Sequence, residues 1–404
     1  MAVIAVDRPP NTTGAAAAPS RLTRSRLREL ALLPPRPGLL SLAGGLPAPE
    51  LVPRTAYAEA LREVLAGDAS ALQYGQPHEP LRVAIVELMR QRGVDCHPRQ
   101  ILLTAGAQQA LSLAAQLLMV PGGQVLLEDH VYAGLRQALL PYRPSLLTVR
   151  TDLDAGMDVD AAEALLARGA RPAFLYAIAD THNPCGVRLG RERRARLVAL
   201  ARRFGVAILE DDSYGLLHYD PDPLPALRAL DAEWVLYVGT FSKIIAPALR
   251  LGWLVLPPRL ASAAGVLKEA ADLECSALTQ RAVARLLERG FAGHLDRLRA
   301  GYRRRRDALL AALGEHFPES ARWTRPPGGF FVWVELPPGL DGDRVCEEAL
   351  AEAHVAVVPG SAFAASAGAP ANRLRLSFAN CAPDEIRTAV ERLGRLLGRR
   401  LHHG

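Results

Sequence analysis

Residues 234–250 read Trp234-Val-Leu-Tyr-Val-Gly-Thr-Phe-Ser-Lys-Ile-Ile-Ala-Pro-Ala-Leu-Arg250. The run Trp234–Val238 is apolar without a break and ends at Gly239, which predicts a short strand buried on both faces. Loops beyond the carboxyl ends of parallel strands are where α/β proteins bind ligands. This loop carries two hydroxyls (Thr240 and Ser242), one amine (Lys243) and, seven residues later, one guanidinium (Arg250). An amine condenses with an aldehyde, and hydroxyls with a guanidinium take a phosphate. The set suits an aldehyde-bearing, phosphorylated cofactor; a surface lysine at a strand end is the plain alternative.

Working outward, the same pattern repeats. Ile101–Leu103, Val125–Glu128, Phe174–Ile178, Val206–Glu210 and Leu251–Leu256 read as further strands, with amphipathic helices such as Arg191–Phe204 between several of them. Strand–helix alternation over this length predicts an α/β unit with a mainly parallel sheet flanked by helices. After residue 280 the rhythm changes to a long helix (Asp296–His316), a strand (Phe330–Glu335), a helix (Asp343–His354), a strand (Leu374–Phe378) and a last helix from Pro383. That is a smaller α+β unit. The expected division is a disordered tail over 1–20, an arm and part of the small domain over 21–71, a large domain over 72–285 and a small C-terminal domain over 286–404.

Composition narrows the function. The chain has 404 residues, 50% of them hydrophobic and 22% charged, a balance that excludes collagen, disorder and small disulfide scaffolds. The longest apolar stretch, Ala110–Val120, already contains Gln116, so no membrane span is expected. The net charge of +6 is scattered; its densest run, Arg303–Arg306, reads as a solvated helix face, and no nucleic-acid motif accompanies it. Only two of the 48 basic residues are lysine, Lys243 and Lys268. A lysine retained in so arginine-rich a chain is a candidate for chemistry that arginine cannot do. Lys268, beside Glu269 on a helical stretch, reads as a surface charge. Five scattered cysteines and no metal-ligand spacing predict a reduced, cytoplasmic protein without a metal.

Four further motifs stand at strand ends. Glu210-Asp-Asp-Ser-Tyr214 offers a carboxylate and a phenol three residues apart (Asp211 and Tyr214), suited to a protonated pyridine nitrogen and a ring hydroxyl; metal ligands or solvated loop charges are the alternatives. His182-Asn-Pro-Cys-Gly186 puts the Asn183 amide in a turn. Thr104-Ala-Gly-Ala-Gln-Gln109 opens a helix with small residues (Gly106 and Ala107) and Gln108, leaving free N–H groups that favour a phosphate. Tyr132 follows another strand as a ring-stacking aromatic or a core tyrosine. Finally, Arg375 lies inside the apolar run Leu374–Phe378, where an unpaired guanidinium is costly; a substrate carboxylate or an internal acid would pair it.

In this order the motifs resemble those of the fold-type I pyridoxal-phosphate aminotransferases, class I/II, closest to the branch of 2-aminoadipate and kynurenine aminotransferases. Ser41–Pro47, Leu72–Tyr74, Pro327–Trp333 and Val358–Gly360 are similar to that branch too. The resemblance implies that Lys243 holds the aldehyde of pyridoxal 5'-phosphate and moves the Cα proton. It implies that Asp211 pairs with the pyridine nitrogen, that Asn183 and Tyr214 reach the ring hydroxyl and that Tyr132 stacks on the ring. Gln108, Thr240, Ser242, Arg250 and the Gly106–Ala107 backbone would hold the phosphate. Tyr74 would come from the partner of a homodimer, Arg375 would clamp the α-carboxylate, and Gly44-Gly45 would close over the substrate. The expected reaction exchanges an amino group between an L-α-amino acid and a 2-oxo acid.

The sequence departs from the branch at three places. Ala107 stands for the usual Ser, Cys185 for the usual Thr, and the loop Tyr74–Arg82 is about two residues short. Asp180 and Glu274, placed by the resemblance near the mouth, suggest a cationic or guanidino donor, an arginine-derived, enduracididine-like amino acid of antibiotic biosynthesis; solvated loop carboxylates are the alternative. A decarboxylase, lyase or oxidase on the same fold is the nearest rival function. A regulator with an aminotransferase-like domain is the next, disfavoured by the short stretch before Gly44.

Overall fold

The computed structural model describes residues 29–403 apart from 31, 32, 35, 367 and 369; the expected tail over 1–20 lies outside them. Seven strands form the central sheet: β1 (Ile101–Thr104), β2 (Gln124–Glu128), β3 (Ser145–Val149), β4 (Phe174–Ala177), β5 (Ala207–Asp211), β6 (Val235–Thr240) and β7 (Gly252–Val255). Their order is β1-β7-β6-β5-β4-β2-β3. All neighbours are parallel except at β7, which runs antiparallel to both β1 and β6. Strands β4 to β7 are buried at every residue, because helices cover both faces of a mostly parallel sheet. That is why they read as unbroken apolar runs.

The six strand readings each fall on a strand of this sheet. The seventh, β3, was not expected; it is an edge strand, only partly buried, so burial on two faces does not mark it. Helix Arg191–Phe204 has the bounds read from its periodicity and ends at Gly205, whose φ of 66° gives the left-handed turn that favours glycine. The later part contains the 26-residue helix Phe291–His316 and an antiparallel sheet of β8 (Arg322–Trp323), β9 (Phe331–Glu335), β10 (Val358–Pro359) and β11 (Arg373–Ser377) in the order β8-β9-β11-β10. The strand Leu40–Ser41 pairs in parallel with Val355–Ala356. Beyond it, Leu42 N–H donates to Ala356 O (2.8 Å) and Leu42 O accepts from Ser377 N–H (2.7 Å). The segment leading to Gly44 and Gly45 is thereby stitched to the C-terminal sheet.

Two surface readings are corrected. Lys268 is buried and ion-paired with Asp272, one turn along its own helix Pro258–Asp272. Of the four arginines 303–306, only Arg303 and Arg304 are exposed. Arg305 is buried, paired with Glu50 and donating to Cys381 O (3.1 Å), while Arg306 lies over the Tyr219 ring at 5.4 Å. Helical periodicity turns Tyr302, Arg305 and Leu309 to the same inward side, so a contiguous charge run cannot all face water.

Candidate active site

A cavity of 290 Å³ opens where the carboxyl ends of the central strands meet β9, β11 and the Gly45 segment. Asp211 ends β5, Thr240 ends β6, and Ala107 opens the helix that follows β1. Lys243, Asp211, Asn183, Tyr214, Tyr132, Ala107, Gln108, Thr240, Ser242, Arg250, Arg375 and Gly45 all line it. Residues scattered over more than 300 positions of sequence thus share one chamber. Leu46, Ile178, Ser213, Pro247 and Phe331 complete the wall.

Lys243 Nζ donates to Gly45 O at 2.9 Å. Burial pushes its amine down to about 8, helped by the charges of Arg375 and Arg250; a neutral, nucleophilic fraction is therefore present near neutral pH. In the same cavity, Asp211 is buried and accepts from Ser213 Oγ (2.7 Å) and from Tyr176 OH (2.9 Å). Burial raises its carboxyl, and those two hydrogen bonds oppose the rise. Burial also raises the Tyr214 phenol, which keeps it a neutral donor.

The other end of the cavity is built for an anion. Thr240 Oγ1 lies 3.0 Å from Ser242 Oγ and accepts from Ser242 N–H at 3.1 Å. Arg250 donates to Ala105 O (2.9 Å) and Pro247 O (3.2 Å), which aims its guanidinium at the turn before the helix Ala107–Leu118. Gly106 there has φ 82°, and a Cβ on it would lie 2.7 Å from Arg250 Nη2. Only glycine lets the cation approach this helix N-terminus, where free N–H groups also favour a phosphate. Gln108 Nε2 donates to Gly134 O at 2.8 Å. An amine, a buried carboxylate and an anion cradle lining one chamber fit pyridoxal phosphate in chemistry.

Arg375 crosses the floor on β11. It donates to Asn183 Oδ1 (2.9 Å) and Ala43 O (2.6 Å) and lies over the rings of Phe331 (4.0 Å) and Phe363 (4.7 Å). Burial lowers its proton affinity, to about 9, yet the group stays charged at neutral pH. Its Nε is buried with no partner among the described residues. A buried guanidinium with an unmet donor beside an open cavity can take a carboxylate.

Four residues that the sequence places at or near the site do not line this cavity. Asp180 is buried and ion-paired with Arg92 and Arg194 (2.7 Å to the latter), so it is no mouth residue. Glu274 accepts from Cys275 N–H (2.7 Å) and lies 4.0 Å from Lys268. It shares a separate surface hollow with Leu72 and Tyr74, and Tyr74 is 92% exposed. Cys185 is buried beside Trp333 in an apolar cluster and does not line the cavity. Sequence reasoning missed Tyr176, a core-strand aromatic with no local signal, and gave no role to Phe331, although it stands in the Pro327–Trp333 stretch. Among the described residues there is no cluster of His, Cys, Asp and Glu fit for a metal ion, and no helix is long and apolar enough to cross a membrane.

Comparison with known proteins agrees with this geometry. Residues 40–393 match the family model for aminotransferase class I and II. The chain is 41% identical to the 2-aminoadipate transaminase of Thermus thermophilus, over 93% of this chain and 94% of that one. It is 38% identical to aromatic-amino-acid aminotransferase 1 of Thermococcus litoralis, over 91% and 90%. The structure of the Thermus thermophilus alpha-aminoadipate aminotransferase LysN, complexed with N-(5'-phosphopyridoxyl)-L-leucine, superposes with a TM-score of 0.87 at 39% identity, covering 95% of this chain and 96% of that one.

Proposed function

Because the chain belongs to the class I and II aminotransferases and is a pyridoxal-phosphate-dependent enzyme of that family, we propose that it moves the amino group of L-α-amino acids with apolar side chains to a 2-oxo acid. The observation that carries the side-chain preference is the wall of the cavity. Leu46, Ile178, Pro247 and Phe331 supply apolar surface, and the only carboxylate in the lining, Asp211, is buried with two hydrogen-bond donors on it. The name of one relative, an aromatic-amino-acid aminotransferase, supports the aromatic donors. A guanidino donor of antibiotic biosynthesis loses the support it had from Asp180, which is neutralised by two arginines inside the fold.

The residues act as follows in this reading. Thr240, Ser242, Arg250, Gln108 and the N–H groups after Gly106 hold the phosphate; Asp211 holds the pyridine nitrogen, Asn183 and Tyr214 the ring hydroxyl, and Tyr132 covers the ring. Bound there, pyridoxal phosphate supplies an aldehyde to receive the amino group and a ring that draws electrons from Cα. Arg375 binds the donor's carboxylate and so fixes which Cα bond stands across the ring. Lys243 would hold the aldehyde of the cofactor at rest, and its amine, once free, would take the proton from the donor's Cα. The Gly45 carbonyl, already bonded to Nζ, holds that amine over the cavity. Phe331 and Leu46 exclude water on the substrate side.

Tyr74, with Leu72 (72% exposed) and Leu273 (60% exposed) around it, is the face that we assign to a second copy, with Tyr74 reaching the neighbour's phosphate cradle. Five free, buried cysteines suit a reducing cytoplasm. A donor panel tests the substrate class: leucine and phenylalanine are expected to give kcat/KM at least about tenfold above arginine, with Asp180→Asn changing stability rather than that ratio. Preference for arginine, abolished in Glu274→Gln, would restore the cationic reading.

A further inference from the structure

Two aspartates stand side by side at the end of β5, and a tyrosine from a different neighbouring strand meets each. Asp211 Oδ2 accepts from Tyr176 OH of β4 at 2.9 Å, and Asp212 Oδ2 accepts from Tyr237 OH of β6 at 2.8 Å. The register explains the split. Tyr176 lies opposite Leu209, and Tyr237 lies opposite Glu210, so the pairs fall on opposite faces of the sheet. Both tyrosines are buried, at 2% and 1% exposure. Of these four residues only Asp211 lines the cavity; Asp212 is tied on the far side to Arg92 at 2.7 Å.

We propose that Tyr176 is a positioning residue of the transamination reaction, acting through Asp211. Its O–H fixes the carboxylate and weakens its hold on the proton shared with the pyridine nitrogen, so the proton stays on the ring and keeps it an electron sink. The inference rests on Asp211 being the partner of that nitrogen. A carboxylate has about four acceptor positions. Ser213 Oγ takes one on Oδ1 and Tyr176 one on Oδ2, and Ser213 N–H takes a third, which leaves one for a donor from the cavity. Burial raises the Tyr176 phenol well above its usual range, so it remains a donor at any working pH. The charged and titratable groups around the pair are Glu128 and Tyr132 toward Tyr176, Asp212 behind Asp211, and Tyr214, Lys243, Arg250 and Arg375 around the cavity. None of the others makes a hydrogen bond to Asp211.

The mirror tyrosine provides the control. Tyr176→Phe and Tyr237→Phe each remove one buried O–H from an aspartate at the same strand end, so both should lower the melting temperature by a similar few degrees. In the holoenzyme, the pH midpoint of the visible band of the Lys243-bound cofactor should rise by about one unit in Tyr176→Phe, because a less positive ring lets the nearby linkage hold its proton more tightly. Its kcat should fall about tenfold with KM for the amino acid nearly unchanged. Tyr237→Phe should leave the midpoint where it is. Ser213→Ala, which removes the other donor without opening the core, should shift the midpoint in the same direction and stands in if Tyr176→Phe does not fold. An unmoved midpoint in the Tyr176 variant, or equal shifts in both tyrosine variants, would overturn the proposal. Asp211→Asn separates the two layers. If it moves the midpoint or releases the cofactor while Tyr176→Phe does neither, the tyrosine inference alone falls; if Asp211→Asn changes nothing, the assignment of Asp211 falls with it.

Discussion

Lysine and arginine carry the same charge but not the same chemistry. The guanidinium neither condenses with an aldehyde nor gives up its proton near neutral pH. Lys243→Arg should therefore lower turnover by roughly 10⁴-fold or more, measured in a steady-state assay with leucine and 2-oxoglutarate; substantial residual turnover would remove Lys243 from its role. What made Lys243 visible in the sequence was its rarity together with its place after an apolar strand. Asp211, Asn183 and Arg375 were legible for a related reason: polar groups stand out against a buried strand or in the turn after one. Asp180 stood in the same kind of place and misled. Its partners Arg92 and Arg194 are distant in sequence, and nothing local shows whether a strand-end acid turns toward the cavity or into the packing behind it. Tyr176 was hidden for the opposite reason, since a tyrosine in a core strand looks like any other packing residue until its hydroxyl is seen to meet Asp211.

Strand ends, and the turns that leave them, decide where these side chains go. The turn after β2 is held by Asp129, which accepts from His130 Nδ1 (2.9 Å), Thr151 N–H (3.0 Å) and Thr151 Oγ1 (2.9 Å). It anchors the stretch that ends at Tyr132. Burial alone would raise this carboxyl, but the bonds from His130 and Thr151 outweigh burial and hold it at about 2. Its folded value lies below the unfolded value of about 3.9. The stabilisation is thus complete above pH 4 and is lost as pH falls toward 2. Asp129→Asn should cost about 1–2 kcal/mol at pH 7 after allowance for its partial exposure, and denaturant titrations should show that cost shrinking between pH 4 and pH 2. A cost independent of pH would mean that the carboxylate's charge is not what holds the turn. Periodicity gave the helix Arg191–Phe204 to the residue, because a glycine stops it. It said less about Arg303–Arg306, where side chains long enough to reach a carbonyl or an aromatic face make burial compatible with charge.

The chamber exists because distant parts of the chain converge: the carboxyl ends of the central sheet, the antiparallel sheet of β8 to β11, and the Leu40–Gly45 segment stitched to it. The alternation of strands and helices predicted the first, and the change of rhythm after residue 280 marked a smaller α+β unit with two of the four strands of the second, β9 and β11. The parallel pairing of Leu40–Ser41 with Val355–Ala356 joins residues more than 300 positions apart, beyond any local pattern. The exposed Tyr74 face makes the same point for assembly. Sedimentation at assay concentration should give a dimer, and a monomer of full activity would contradict the role proposed for Tyr74. The central claim, that this chamber carries out a half-transamination, is tested most directly by the visible spectrum of the purified holoenzyme as one amino acid is added without any 2-oxo acid. With leucine or phenylalanine, the band of the Lys243-bound cofactor should disappear as the amine form appears, with one equivalent of 2-oxo acid released per active site and no gas exchanged. A band that persists with every donor, or that decays with release of carbon dioxide or uptake of oxygen, would contradict it.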